Sequence, residues 1–169
     1  MASSAFSLRS VTDDDATFLL DLFSETHRSE YKGLSLPITQ LEAILQMQFQ
    51  AQKADYSLRH PEAIHEVIEI EGMAGGQWMW VEKNDHLLYI DISILKKFRN
   101  QGIASRLTKN LMKMSAQKKL PLRGYVALNN PKAIALWQRL GFDTVGSNQT
   151  HLAIEFIPDN SEGPTPLKS

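Results

Sequence analysis

The stretch His86 to Ser115, HLLYIDISILKKFRNQGIASRLTKNLMKMS, constrains the fold more than any other part of the chain. Leu88, Ile90, Ile92 and Ile94 alternate with Tyr89, Asp91 and Ser93, which predicts a β-strand with an apolar core face. Its second face then carries a phenol, a carboxylate and a hydroxyl, groups that need partners if the strand is central. After a short basic loop with one glycine, Ile103, Leu107, Leu111 and Met114 recur at helical spacing, and Pro121 to Leu128 reads as the next strand. A strand reached from a strand through a helix makes a right-handed crossover with the two strands parallel. The helix start also offers unpaired N–H groups and the positive end of the macrodipole, so it is a natural seat for a phosphate.

The rest of the chain builds around that unit. Phe6 to Val11 is a strand, and Thr12 with three aspartates opens a helix whose buried stripe is Phe18, Leu19, Leu22 and Phe23. A glutamine-rich second helix buries Leu41, Ile44, Leu45 and Phe49. Two strands, Ile64 to Ile70 and Gln77 to Glu82, follow, with Gly72 and Gly75-Gly76 as turn chemistry between them, and Asn84-Asp85 turns the chain into the strand that begins at His86. Asn130-Pro131 starts a helix that Gly141 ends, and Phe142 to Val145 with His151 to Ile157 forms a last hairpin. The expected fold is α/β (α+β), a mixed central sheet of about seven strands flanked by about four helices. A single domain over 1–157 and a disordered polar tail over 158–169 are expected.

Charge is distributed unevenly along the chain. The eleven bases between Asp91 and Asp143 face no acid in that interval, whereas the region before Ile92 holds 15 acids and 6 bases. The basic block suits a polyanionic ligand and the acidic part a cationic one. Exposed aromatics are not interleaved with the bases, so no nucleic-acid partner is expected. The absence of cysteine removes disulfides and thiolate chemistry, the histidines have no metal-ligand spacing, and no run is long and apolar enough for a membrane span. A cytoplasmic location, no metal and no membrane partner are therefore the expectations, with the assembly state open and a homodimer one form of it.

With Arg99-Asn100-Gln101-Gly102-Ile103-Ala104 as the loop, the chain resembles the GCN5-related N-acetyltransferase superfamily. Arg99, Gly102 and Ala104 satisfy that family's cofactor motif, and Asn130, Ala133, Trp137 and Gly141-Phe142 match a second signature in the right order. The resemblance implies the N-acetyltransferase fold and acetyl-CoA as co-substrate. It implies a pyrophosphate held by backbone N–H groups of Asn100, Gln101, Gly102, Ile103, Ala104 and Ser105, with Arg99 opening the motif and Gly102 keeping side chains off the phosphates. Pantetheine amides would pair with Ile92, Ser93 and Ile94, and Asn130 and Trp137 stand at further cofactor positions.

Acetyl transfer to an amine needs a proton acceptor, an oxyanion donor and a proton source for the departing thiolate. Asp91 is the first candidate base, followed by Glu69 and Glu71. The family's usual tyrosine acid is replaced here by Trp137, whose indole cannot deliver a proton, so Tyr125 and Tyr89 are the substitute candidates. The expected activity is transfer of an acetyl group from acetyl-CoA to a primary amine of a small molecule or peptide. The alternative is an acyl-CoA-binding module with little or no catalysis.

Overall fold

The computed structural model describes residues 4–159, so the expected tail lies outside the described residues from Asn160 onward. The elements are β1 Phe6–Ser10, α1 Ala16–His27, α2 Ile38–Arg59, β2 Ile64–Ile70, β3 Met73–Glu82, β4 Leu87–Ile94, α3 Ile103–Lys118, β5 Leu122–Ala127, α4 Pro131–Arg139, β6 Asp143–Ser147 and β7 His151–Phe156. Short 3₁₀ turns cover Asp13–Asp15, Arg28–Leu34 and Lys96–Phe98. The seven strands form one mixed sheet in the order β1-β2-β3-β4-β5-β7-β6, with β4 at its middle. The chain divides into two compact units, Met1–Val81 with Asp91–Ile103, and Glu82–Ile90 with Ala104–Ser169, and β4 contributes to both.

In the first unit β1, β2 and β3 form an antiparallel meander, with Leu8 opposite Ile68 and Val67 opposite Gln77. Val67 and Ile68 point to opposite faces and both are fully buried, so both faces of this part of the sheet are covered. The turn between β2 and β3 is Glu71-Gly72, both left-handed, the geometry that matches strand twist in a tight hairpin. Gly75 and Gly76, expected in that turn, lie instead inside β3 and are buried. A Cβ on Gly76 would stand 2.6 Å from the Ser93 carbonyl oxygen, so glycine there permits a close approach of two backbones.

The three aspartates before α1 are not equivalent. Asp13 and Asp14 are exposed, while Asp15 turns inward, takes the Thr12 N–H at 2.8 Å and receives both Nη atoms of Arg9 at 2.8 and 2.9 Å. Arg9 Nε reaches Glu69 at 2.6 Å, so one guanidinium ties β1, β2 and the start of α1 together. Helix α1 buries Leu19, Leu22 and Phe23, and α2 buries Leu45, with the Phe23 and Phe49 rings 5.6 Å apart.

In the second unit β4 pairs with β5 in parallel through Leu87↔Leu122 and Leu88↔Arg123, and β7 lies antiparallel between β5 and β6. Its core includes Leu87, Tyr89, Leu107, Leu111, Leu122, Trp137, Phe142 and Ile154. The expected assignment of faces in β4 is corrected here: Leu87 and Tyr89 are buried, whereas Leu88 and Ile90 are half-buried. The cause is α4, whose Trp137 packs edge-on against Tyr89 at 4.8 Å and against Phe142 at 5.2 Å. Helix α4 is delimited as its sequence predicts: Asn130 Oδ1 accepts the Ala133 N–H at 3.2 Å, Pro131 opens the helix, and Gly141 is left-handed at its end.

Arg9 holds the Asp15 carboxyl well below the usual carboxylate range. A depressed folded-state pKa stabilises the fold above the unfolded value of about 3.9, and that contribution is lost as pH falls toward the folded value. Asp15→Asn should therefore lower the urea midpoint at pH 7. It should also flatten the fall in midpoint below roughly pH 4 relative to wild type. Parallel wild-type and variant curves across that range would refute this role.

Candidate active site

The loop between β4 and α3 is fixed at its β4 end by its own chain. The Phe98 N–H bonds to the Leu95 carbonyl at 2.8 Å and the Phe98 ring is buried, and Arg99 Nε donates to the Ile94 carbonyl at 2.8 Å. Asn100 and Gly102 are both left-handed, with φ of 61° and 76°, and this pair turns the chain so that α3 can start at Ile103. No atom lies within 4 Å of where a Gly102 Cβ would stand. Glycine is thus required by conformation, and the space above it is open. Gln101 Oε1 is buried without a hydrogen-bond partner. The first N–H groups of α3 have no intrahelical acceptor, no acid occurs from Ile92 to Phe142, and the open cradle over Gly102 fits a phosphate-bearing group.

The strand that carries this loop is seated on the glycine pair of β3. Leu95 N–H donates to the Gly75 carbonyl at 2.9 Å, and a Cβ on Gly75 would stand 2.7 Å from Ile70 Cδ1 and 3.0 Å from the Phe98 ring. Gly75 therefore accommodates the loop's anchor, as Gly76 accommodates Ser93. Sequence reasoning missed this role, although a buried Gly-Gly inside an otherwise apolar strand is itself a signal of close approach.

Asp91 lies in the first unit among groups from four other elements. Gln77 Nε2 donates to its Oδ2 at 2.5 Å and Ser93 Oγ to the same oxygen at 3.1 Å, while His65 Nε2 stands 2.9 Å from Gln77 Oε1. Burial pushes the Asp91 carboxyl above its usual range, with the two hydrogen bonds and the nearby His27 and His65 opposing that shift. The Tyr56 phenol is driven up as well, chiefly by burial and then by the Asp91 charge. His27, Tyr56, His65 and Gln77 were not singled out from the sequence, because only the fold brings α1, α2, β2 and β3 to one carboxylate. Glu69 sits elsewhere, ion-paired with Arg9, and Glu71 occupies the exposed β2–β3 turn.

In the second unit Ala104 and Ser105 form the first turn of α3, and Asn130 caps α4. Trp137 is 4% exposed and belongs to the aromatic core. Tyr125 is 63% exposed on β5, opposite Ala153, whereas the Tyr89 ring is the phenol that touches Trp137. Among the described residues no three or more His, Cys, Asp or Glu side chains form a group able to hold a metal, and no helix is long and apolar enough to cross a membrane.

These features belong to a known class. The profile described as the acetyltransferase (GNAT) family matches residues 19–142, and the chain belongs to that family, whose co-substrate is acetyl-CoA. No curated protein matches the chain. Among solved structures it is similar to the PaiA N-acetyltransferase from Thermoplasma acidophilum in complex with coenzyme A. That likeness has a TM-score of 0.69 at 13% identity and covers 90% of this chain and 99% of that one. It is also similar to the ribosomal-protein-S18-alanine N-acetyltransferase from Escherichia coli, with a TM-score of 0.64, 15% identity and coverage of 94% and 97%. The spermidine N-acetyltransferase from Vibrio cholerae, in complex with CoA and spermine, gives a TM-score of 0.60 at 18% identity, covering 90% and 95%. At these identities the likenesses establish the fold.

The conformation of Gly102 yields a direct test. Gly102→Val places a β-branched side chain at φ of 76°, which disfavours the turn by at least ~1–2 kcal/mol, and fills the open space above it. Calorimetric titration with coenzyme A should lose binding while thermal unfolding stays cooperative. Unchanged affinity would remove the loop from the cofactor site.

Proposed function

We propose that this protein is an N-acetyltransferase that moves the acetyl group of acetyl-CoA to a primary amine of a small molecule or peptide, with 1–157 as its catalytic domain. The observation that carries this reading is the composition of β4. Within four residues the strand bears a desolvated carboxylate, Asp91, and the carbonyl of Ile94 that anchors the phosphate-binding loop through Arg99.

Acetyl-CoA supplies the activated acyl group as a thioester. Backbone N–H groups of the turn from Asn100 into the start of α3 hold its phosphates, and Ile92, Ser93 and Ile94 offer strand backbone to its amides. A primary ammonium has a pKa of about 10, so it must lose a proton before its nitrogen can act. Asp91 is the proton acceptor, and burial brings its carboxyl closer to the range where a base works at neutral pH. Glu69, the second candidate base, is held in an ion pair by Arg9, which leaves Asp91 as the base. The phenols of Tyr125 and Tyr89 are the candidate proton donors, Tyr89 in contact with the tryptophan that replaces the usual tyrosine.

The 15 acids against 6 bases before Ile92 favour a cationic acceptor. Two of the structural neighbours carry names of amine acceptors of both kinds, spermidine and a ribosomal-protein alanine. The cysteine-free composition supports a cytoplasmic setting.

Purified protein with acetyl-CoA and an amine panel of spermidine, spermine, lysine and an alanine-ended peptide should release thiol on at least one amine. Asp91→Asn should lower kcat/KM on that amine by roughly 10²-fold, within the range of a lost general base, and leave coenzyme A affinity unchanged. Cofactor binding with no thiol release on any amine would instead favour an acyl-CoA-binding module, a reading to which the replacement of tyrosine by the buried Trp137 points.

A further inference from the structure

We propose that His65 and Gln77 are positioning residues for Asp91: the chain His65 to Gln77 to Asp91 fixes the carboxylate through Oδ2 and leaves Oδ1 as the oxygen that takes the acceptor's proton. The inference rests on the reading of Asp91 as the base and adds how that base is held.

The three residues stand on successive strands β2, β3 and β4. Val67 pairs with Gln77 and His65 with Met79, so His65 and Gln77 are diagonal neighbours on one face, within reach of each other's long side chains. The observed separations are 2.9 Å from His65 Nε2 to Gln77 Oε1 and 2.5 Å from Gln77 Nε2 to Asp91 Oδ2. The direction of the chain follows from what each group can do. An ionised carboxylate only accepts, so Gln77 must turn its NH₂ toward Asp91 and its carbonyl toward β2. That carbonyl can only accept, so His65 must carry its proton on Nε2. With Nε2 unprotonated, the histidine would repel the carbonyl and free the amide to rotate. His65 thus fixes which end of Gln77 Asp91 meets.

Both donors, Gln77 and Ser93, reach Oδ2, and among the described residues Oδ1 receives no hydrogen bond. The titratable groups that face the carboxylate are His27 from α1, Tyr56 from α2 and His65 from β2. His27 already engages Glu30 at 3.0 Å. Burial raises the Tyr56 phenol, so it stays protonated throughout the neutral range. In the transfer step an N–H bond of the ammonium breaks and an O–H bond forms at Oδ1. The electron pair stays on the nitrogen, and the carboxyl later returns the proton to solvent. A carboxylate already bonded at Oδ2 need not reorient during this step, which is how fixed hydrogen bonds preorganise a base.

The carboxyl ¹³C resonance of Asp91, assigned by its loss in Asp91→Asn, reports the chain without any acceptor. Gln77→Met removes a donor to the charged form, so the Asp91 midpoint should rise by about one pH unit, a tenfold change in its acidity. His65→Leu should raise it in the same direction, and His65→Gln, which keeps an N–H donor, should restore part of the loss. Because His65 acts through Gln77, its removal should matter less in the Gln77→Met background than in wild type. An unmoved midpoint in Gln77→Met, or equal His65 effects in both backgrounds, overturns the chain. If Gln77→Met fails to give a cooperative melt, the His65→Leu and His65→Gln pair decides, since equal midpoints in the two overturn it.

Thiol release with the panel amine that gives the highest wild-type rate separates the two readings. Loss of activity in Asp91→Asn with an unmoved midpoint in Gln77→Met leaves the base and removes its positioning. Full activity in Asp91→Asn removes the base, and with it the role of Oδ1.

Discussion

A helix offers its first N–H groups to an anion only if the chain reaches it through a turn that no side chain covers. Here that turn is made by two left-handed residues, Asn100 and Gly102, directly before α3. Asparagine tolerates that conformation through its short polar side chain, and glycine has no Cβ to oppose it. Arg99 ties the turn back to Ile94, and buried Phe98 holds the preceding residues against Gly75. The glycine pair inside β3 is therefore as much a part of the cofactor-side architecture as the motif itself. Without the close approach at Gly76, Ser93 and the end of β4 would be displaced.

Much of this was legible in the sequence because it is local. The apolar stripe of α3 and the Asn130-Pro131 start and Gly141 stop of α4 follow from periodicity and caps, which the chain decides over a few residues. Gly75-Gly76 reads as a turn because two glycines carry the same local signature in a turn and in a close approach, and only the Ser93 carbonyl distinguishes them. Alternation places Tyr89 on a polar face because it cannot tell which face of a strand is the deeper. Its burial is decided by Trp137, nearly fifty residues later in the chain.

The chemistry was legible only in part. Asp91 stood out as a carboxylate beside the loop, but its surroundings come from α1, α2, β2 and β3 and depend on strand register, which no local pattern specifies. Glu69 resembled Asp91 in sequence and differs from it in setting, since Arg9, sixty positions away, pairs with it. Two acids on strands separated by β3 thus acquire different roles from their partners alone: one is neutralised by a cation, the other desolvated and oriented by neutral donors.

In the proposed site the cofactor binds to backbone, along the end of β4 and around the turn into α3. Hydrogen exchange with and without coenzyme A, read at single amides, tests this most directly. Binding there should slow exchange mainly at amides between Ile92 and Arg106. Tight binding that leaves the amides of Asn100 to Ser105 unprotected would contradict it.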